Sequence, residues 1–476
     1  MLWLALHFAS LPLEVYARAG QPSAAVAIAD SAHHIVACNE AALKLGIRRG
    51  MAVAAASALS SALHVVPRDG AAEEAALERI AAWAIQFTPT VSIARPAEVL
   101  LEIAGSLTLF RGLKYLWAEI QDGLRALGFT ASIACAPTPL AAQWFARAGV
   151  PVRLRHLDAL RASLPDLPIE VTHAAPDALA LLENIGVKSV SDCLALPRDG
   201  VARRLGQHFL DDLDRALGLL ADARAFFTPP SVFKAAQPLP APAHEAEMLV
   251  FAARRLLNEL CGFLAATSNG AERLTFTFSH HKLEPTKLTL SLVEATRDVE
   301  HLTTVLRERL DRTTLPDAVT ALELESELLL PLASRNLSLL HDAGQLKEAA
   351  THLIERLRAR LGDDAVQGLV RYADHRPERA WRTCKPGTHD VTHTLIAGRP
   401  LWLLERPLPL SEVGGVPCYD GRLSRLTRAE RIESGWWDGN DVTRDYFIAC
   451  NPAEAVLWIY QERNPNGGWF LHGFFA

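Results

Sequence analysis

The chain has 476 residues, a formal net charge of −6, 50% apolar residues and 21% charged ones, which leaves room for roughly three or four globular domains with cores to bury. Net acidity argues against a broad basic surface that grips duplex DNA by its phosphates, while leaving a local basic patch open. The seven cysteines (Cys38, Cys135, Cys193, Cys261, Cys384, Cys418 and Cys450) are scattered singly. With no pair at zinc-knuckle spacing, they read as reduced thiols of a cytoplasmic protein that holds no metal and no cofactor. The first residues lack the basic segment of a secretory leader, and no apolar run approaches the roughly twenty residues that span a bilayer, so no membrane partner is expected.

In chain order, residues 2–8 form an apolar run of strand length, and helical character follows Pro12 over residues 13–19. Residues 25–29 and 35–37 read as strands. Residues 71–87 place Ala75, Ala76, Leu77, Ile80, Trp83, Ala84 and Phe87 near helical period. In residues 88–105 Val91 and Ile93 alternate with polar neighbours, Pro96 interrupts, and Val99, Leu100 and Leu101 resume, the pattern of a β-hairpin in a core sheet. A helix over 113–127, a strand over 129–134 and short helices over 168–220 follow. Residues 229–242, rich in Pro and Ala, read as an extended linker. Beyond it come a helix (249–264), alternating strands (Leu274, Phe276, Phe278; Leu288, Leu290, Leu292), a helix (299–310) and a strand (319–328). The tail is rich in Trp, with strand patterns at 445–449 and 455–461, as in a small β-rich module.

The hairpin outline Thr88-Pro89 … Val91-Ser92-Ile93 … Leu100-Leu101 resembles the palm hairpin of the Y-family translesion DNA polymerases, in which Asp and Glu follow Ser-Ile and help hold the catalytic magnesium ions. Here Ala94 and Arg95 follow. Two-metal phosphoryl transfer needs carboxylates around both cations, and an arginine repels Mg²⁺. On the first strand the family carries a metal-binding Asp and further contacts; His7 stands at the Asp position and Ala9 follows it, and imidazole is a poor ligand for hard Mg²⁺. Without the family, His7 reads as a hydrogen-bonded polar residue at a strand end. Residues 39–51 are similar to the fingers motif whose Tyr and Arg contact the incoming triphosphate; Glu40 and Leu43 occupy those places. Thr138 and Ala142 fall at the two Lys positions of the turn after the strand at 129–134. Residues 182–197 resemble the thumb's second helical segment, and the preceding hairpin that would hold a DNA phosphate appears as His173-Ala174-Ala175-Pro176, which leaves Arg203 and Arg204 as possible phosphate contacts or as solvated surface.

The resemblance implies an α+β multidomain fold: palm and fingers at 1–165, a helical thumb at 166–228, the linker at 229–242, a sandwich-like α/β little finger at 243–335, a clamp-motif and helical connector at 336–370, and a β-rich C-terminal interaction region at 371–476. Glu323, Glu325 and Glu327 help make the little finger slightly acidic, so DNA binding there would be weak and salt-sensitive. Asn336-Leu337-Ser338-Leu339-Leu340 resembles the bacterial sliding-clamp motif; the same residues also fit the start of an amphipathic helix running through Leu346 to Leu361. The segments 374–381 and 430–439, with 444–447 and the ending 467–476, resemble signatures of the ImuB family, the polymerase-like component of the bacterial mutagenesis cassette. Trp381, Trp436, Trp437, Tyr446, Trp469 and Phe470 fit either a partner-binding face or the module's own core.

Two functions follow. In the first, the chain is a non-catalytic adaptor in damage-induced mutagenesis, and the resemblance implies the sliding clamp (its β subunit), ImuA and an error-prone DnaE-type polymerase as partners. In the second it is a weak translesion polymerase using other carboxylates, with Glu98 and Glu102 the acids at hand. A plain DNA-binding module is disfavoured by the net acidity.

Overall fold

The computed structural model describes residues 1–17, 24–332, 343–388, 398–464 and 467–475. The chain divides into two compact units, 1–360 and 361–476.

Unit one begins with strand β1 (Trp3–His7), helix α1 (Leu11–Ala17), strands β2 (Val26–Ala29) and β3 (Ile35–Cys38), helices α2 (Glu40–Lys44) and α3 (Val53–Leu59), strand β4 (His64–Pro67) and helix α4 (Gly70–Ala84). The hairpin of β5 (Val91–Ala94) and β6 (Glu98–Glu102) follows, then α5 (Leu113–Leu127), β7 (Ser132–Ala136) and α6 (Pro139–Arg147). The palm-like sheet has the order β5-β6-β1-β7, antiparallel throughout. Its strands are near-continuous apolar runs because both faces are covered. Leu4, Leu6, Val99, Leu101 and Ile133 share one core cluster with α4 and α5, while Trp3, Ala5, Leu100 and Ala134 share another with α6 and the helices that follow. Helix α5 forms where expected: Leu113, Leu116, Trp117, Ile120, Leu124 and Leu127 make one buried stripe, and Gly128, at φ 81°, ends it with a backbone turn that other residues adopt at a cost. Strands β2, β3 and β4 form a separate three-stranded sheet in the fingers-like region.

After α7 (Leu157–Ser163), helices α8 (Pro176–Asn184), α9 (Val190–Leu194), α10 (Arg198–Leu205) and α11 (Gln207–Ala216) supply the run of short helices expected over 168–220. A second sheet is built from β8 (Phe233–Ala243), β9 (Asn269–His280), β10 (Thr286–Thr296) and β11 (Val319–Pro331), in the order β10-β9-β11-β8, with helices α12 (Ala246–Ala266) and α13 (Val299–Leu310). The stretch read as a linker is extended, but most of it is this sheet's edge strand β8, paired with β11 from Ala243 opposite Val319 to Phe233 opposite Ser326. Prolines lack an N–H to give to a ladder, and an edge strand, with a partner on one side only, accepts them; the pairing with β11 is irregular between Pro238 and Ala243.

Helix α14 (Ala343–Leu361) closes the unit. It docks through a buried carboxylate: Glu355, 3% exposed, accepts from the backbone N–H of Val293 at 2.6 Å and contacts the ring of His301. His352 stacks on His301 with centroids 3.6 Å apart.

Unit two is β-rich, as its strand patterns indicate. Strands β12 (Gly368–Arg371) and β13 (Trp381–Cys384) pair as a ribbon, and so do β15 (Ser411–Val413) and β16 (Val416–Cys418). A six-stranded sheet joins β14 (Trp402–Pro409), β21 (Trp469–Phe474), β20 (Val456–Glu462), β19 (Val442–Cys450) and β17 (Ser424–Arg425) in that order, with β18 (Glu430–Ser434) also on β19.

Replacing Glu355 by Ala should strip acceptors from a buried imidazole and a part-buried backbone N–H and loosen α14 by about 2–4 kcal/mol. Hydrogen exchange of α14, compared with the Glu355→Gln variant that keeps an acceptor oxygen, checks this.

Candidate functional site

A cavity of about 400 Å³ opens where β1 ends, lined among others by His7, Ala9, Glu98, Arg147, Glu170 and His173. The cross-strand register sets its floor. His7 on β1 lies opposite Glu98 on β6, and Glu98 lies opposite Ala94 on β5, so the three residues share one face of the sheet.

Glu98 is 2% exposed and fully engaged. Arg147 Nε donates to its Oε1 at 2.6 Å and Arg147 Nη2 to its Oε2 at 2.8 Å. Gln143 Nε2 donates to Oε2 at 2.6 Å, and His7 Nδ1 lies 3.3 Å from Oε1. Burial alone would raise this carboxyl's pKa, but the contacts with His7, Arg147 and Gln143 outweigh it and bring it down to about 2. Arg147 also donates to the carbonyl oxygen of Val171 at 2.8 Å, so the same guanidinium ties the hairpin to the segment preceding α8. Gln143 and Arg147, four residues apart on α6, project the same way toward the sheet.

This arrangement does not suit a pair of divalent cations. The Glu98 carboxylate already has an arginine against both of its oxygens. Glu102 sits four residues along the same strand, about 13 Å away at strand rise, and accepts from the N–H of Leu2 at 2.9 Å. Two cations in such sites stand roughly 3.5–4 Å apart, so Glu98 and Glu102 cannot share them. Glu73, on the cavity wall, is bound by Arg68 at 2.8 Å through two parallel hydrogen bonds. Among the described residues no group of three or more His, Cys, Asp or Glu is placed to hold a metal ion.

The other sequence candidates fall into place around this core. Ala94 lies in the Glu98 row, whereas Arg95 points to the opposite side of the hairpin and pairs with Glu74 of α4 at 2.6 Å, outside the cavity. The residue directly opposite His7 is Glu98, with Ala94 next in the same row. Ala142 is core, and the side chain that reaches the site is its neighbour Gln143. The Thr138 hydroxyl caps α6 and donates to the Ala216 carbonyl at 2.9 Å. Glu40 is an exposed helix residue paired with Lys44 at 2.7 Å, and Leu43 is exposed. Arg203 and Arg204 are exposed in the last turn of α10. Asn336 to Leu340 lie outside the described residues. The sequence reading missed Arg147 and Gln143; the available signal was a polar pair at helical spacing on an otherwise apolar helix.

In unit two the aromatic candidates divide. Tyr446 and Trp469 are core, 1% and 5% exposed, and Phe470 stacks on Tyr460. Trp381, Trp436 and Trp437 are exposed. The loop carrying Trp436 and Trp437 is braced by Arg376, which pairs with Asp374 at 2.7 Å and Asp438 at 2.8 Å, donates to the Asn440 carbonyl at 3.1 Å and lies 5.7 Å from the Trp437 ring. Arg379 adds a contact to Asp438 at 2.7 Å. These bonds join the segments 374–381 and 430–439.

The impB/mucB/samB family model matches residues 7–147, a span that begins at His7 and ends at Arg147. Two curated proteins named ImuB, from Caulobacter vibrioides strains NA1000 / CB15N and ATCC 19089 / CIP 103742 / CB 15, are each 28% identical over 460 residues, covering 91% of this chain and 100% of theirs. Similar solved structures include a DinB from Sulfolobus solfataricus (15% identity, 70% of this chain and 100% of that one, TM-score 0.39). An insertion ternary complex of Dbh DNA polymerase gives 16% identity, 69% of this chain, 98% of that one and a TM-score of 0.40. No helix among the described residues is long and apolar enough to cross a membrane.

Arg147→Met should leave the Glu98 charge buried without its cation and cost about 3–5 kcal/mol at neutral pH, read by urea unfolding. Because the folded-state pKa of Glu98 is depressed, its contribution is present above the ordinary carboxylate pKa and lost as pH falls through about 2. The Glu98→Gln variant should therefore show a flatter loss of stability between about pH 5 and pH 2 than the unmodified chain; parallel acid-unfolding curves would refute this.

Proposed function

We propose that this chain, ImuB-like over 91% of its length and carrying an impB/mucB/samB domain at residues 7–147, serves as a non-catalytic adaptor in DNA damage tolerance. Its role is to hold other proteins of a mutagenic assembly near a primer terminus without itself transferring nucleotides. The observation that carries this reading is the Glu98–Arg147 clasp. A carboxylate whose two oxygens are already bonded to a guanidinium within the same fold is neutralised; Glu102 lies too far along the strand, Glu73 is paired with Arg68, and Glu170 alone on the cavity wall cannot supply the carboxylates that two cations need. Metal-dependent phosphoryl transfer has nowhere to assemble its cations.

The adaptor's contacts are assigned to two regions. Asn336 to Leu340 is the segment for the sliding clamp. The braced, exposed Trp436–Trp437 loop with Trp381 is the surface for ImuA or the DnaE-type polymerase, since rigid exposed tryptophans concentrate binding energy at protein interfaces. Duplex DNA is at most a weak, salt-sensitive partner.

Purified protein should give no template-directed primer extension with Mg²⁺ or Mn²⁺ and no calorimetric signal for a deoxynucleoside triphosphate with Mg²⁺. Extension that survives removal of contaminating polymerase would refute the reading. Changing Leu337, Leu339 and Leu340 together to Ala should abolish clamp pull-down. Changing Trp436 and Trp437 to Ala should reduce capture of ImuA or the polymerase at least tenfold while thermal stability stays unchanged; equal capture would move that contact elsewhere.

A further inference from the structure

The little-finger-like sheet is expected to be a tethered domain, yet helix α12 carries two working faces. Leu249, Ala253, Leu256, Leu260, Phe263 and Leu264 lie in the core of the second sheet. Arg255, Asn258, Glu259, Gly262 and Ala265 recur at i, i+3, i+4, i+7 and i+10, a second stripe on the same helix, and its contacts run to α4 and α5 behind the palm-like sheet.

Those contacts are close and specific. The Trp83 ring of α4 lies in a notch between Gly123 of α5 and Gly262 of α12. A Cβ at Gly262 would stand 2.2 Å from Trp83 Cδ1, and one at Gly123 would stand 2.3 Å from Trp83 Cζ2. Arg79 of α4 pairs with Glu259 at 3.2 Å, with the carboxylate side chain 1% exposed. Asn258 Nδ2 donates to the carbonyl of Ala126 at 3.4 Å, and a Cβ at Gly128 would stand 3.0 Å from the Arg255 guanidinium. Ala82 of α4 is counted in the second sheet's core. Phe227, on the chain entering that sheet, packs against both cores and donates its N–H to the Val91 carbonyl at 2.7 Å.

We infer that α12 locks the little-finger-like sheet to the back of the palm-like sheet, so that the two open, unfold and move as one body. Swinging them apart would strand a buried carboxylate, leave the Trp83 ring without its notch and open a core that is continuous across the junction. DNA that drew this sheet toward itself would have to break the lock. The inference rests on the α12 junction alone and is independent of whether the palm is catalytic.

Hydrogen exchange on the full chain against rising denaturant provides the test. Amides of α4 and α12 should open with the same free energy and the same denaturant slope, and more slowly than those of α3 in the fingers-like region. Gly262→Leu, which forces a side chain into Trp83, should split the two helices into separately opening units and raise exchange of α12 at least tenfold. Should that variant fail to fold, Arg79→Met, which removes only the cation, should speed exchange in both helices together. Independent opening of α4 and α12 in the unmodified chain, or an Arg79→Met effect confined to α4, would overturn the lock.

Discussion

Taking a carboxylate out of water costs several kcal/mol unless its oxygens are bonded again inside, and that constraint governs the first 220 residues of this chain. Glu98 must be paired wherever it is buried. The pairing comes from Arg147 and Gln143 on the helix that follows the last strand of the same sheet. Helix α6 is thereby fixed against the hairpin, and through the bond from Arg147 to Val171 the start of the thumb-like helices is fixed to both. A position that could have held a cation from solution holds a covalently supplied one, with structure gained and chemistry excluded by the same bonds.

The same logic recurs at lesser scale. Glu259 is buried at the junction of the two sheets and paired with Arg79; Glu355 is buried under α14 and takes backbone and imidazole donors. Each carboxylate lies where an element distant in sequence meets a sheet. An unpaired buried charge penalises every alternative docking, so these contacts specify which surfaces meet, while the surrounding apolar burial supplies most of the stabilisation.

Much of this was legible in the sequence, and the failures have physical causes. Helix α5 could be read to the residue because its apolar stripe is unbroken and glycines flank it. The hairpin was legible as a hairpin, but its register was not: strand patterns have a period of two and carry no count of the residues in the turn. That the sheet puts Glu98 opposite His7, with Ala94 beyond it in the same row, appears only in the fold. Arg147 was missed for a different reason: the polar pair it forms with Gln143 on an otherwise apolar helix marks a buried polar contact, but the partner is 49 residues away and the pair does not name it. The edge strand β8 read as a linker because its prolines signal the absence of donors, which describes a linker and a one-sided edge equally well.

The tail shows what pattern reading can and cannot separate among aromatic residues. Tyr446 and Trp469 lie on β19 and β21 of a sheet covered on both faces, Tyr446 in one core cluster and Trp469 with Phe447 in the other, so strand position puts both inside. Trp436 and Trp437 are adjacent in sequence and sit in a loop after Gly435, whose φ of 92° turns the chain out of β18. Both side chains face water. What the sequence could not supply is the reason the loop holds its shape. That reason is Arg376, some sixty residues upstream, whose bonds to Asp374, Asp438 and the Asn440 carbonyl leave the loop little freedom. A tryptophan pair held by buried charge-assisted bonds loses less entropy on meeting a partner than one on a free loop, and a packing role alone would not require such bracing for side chains that face water.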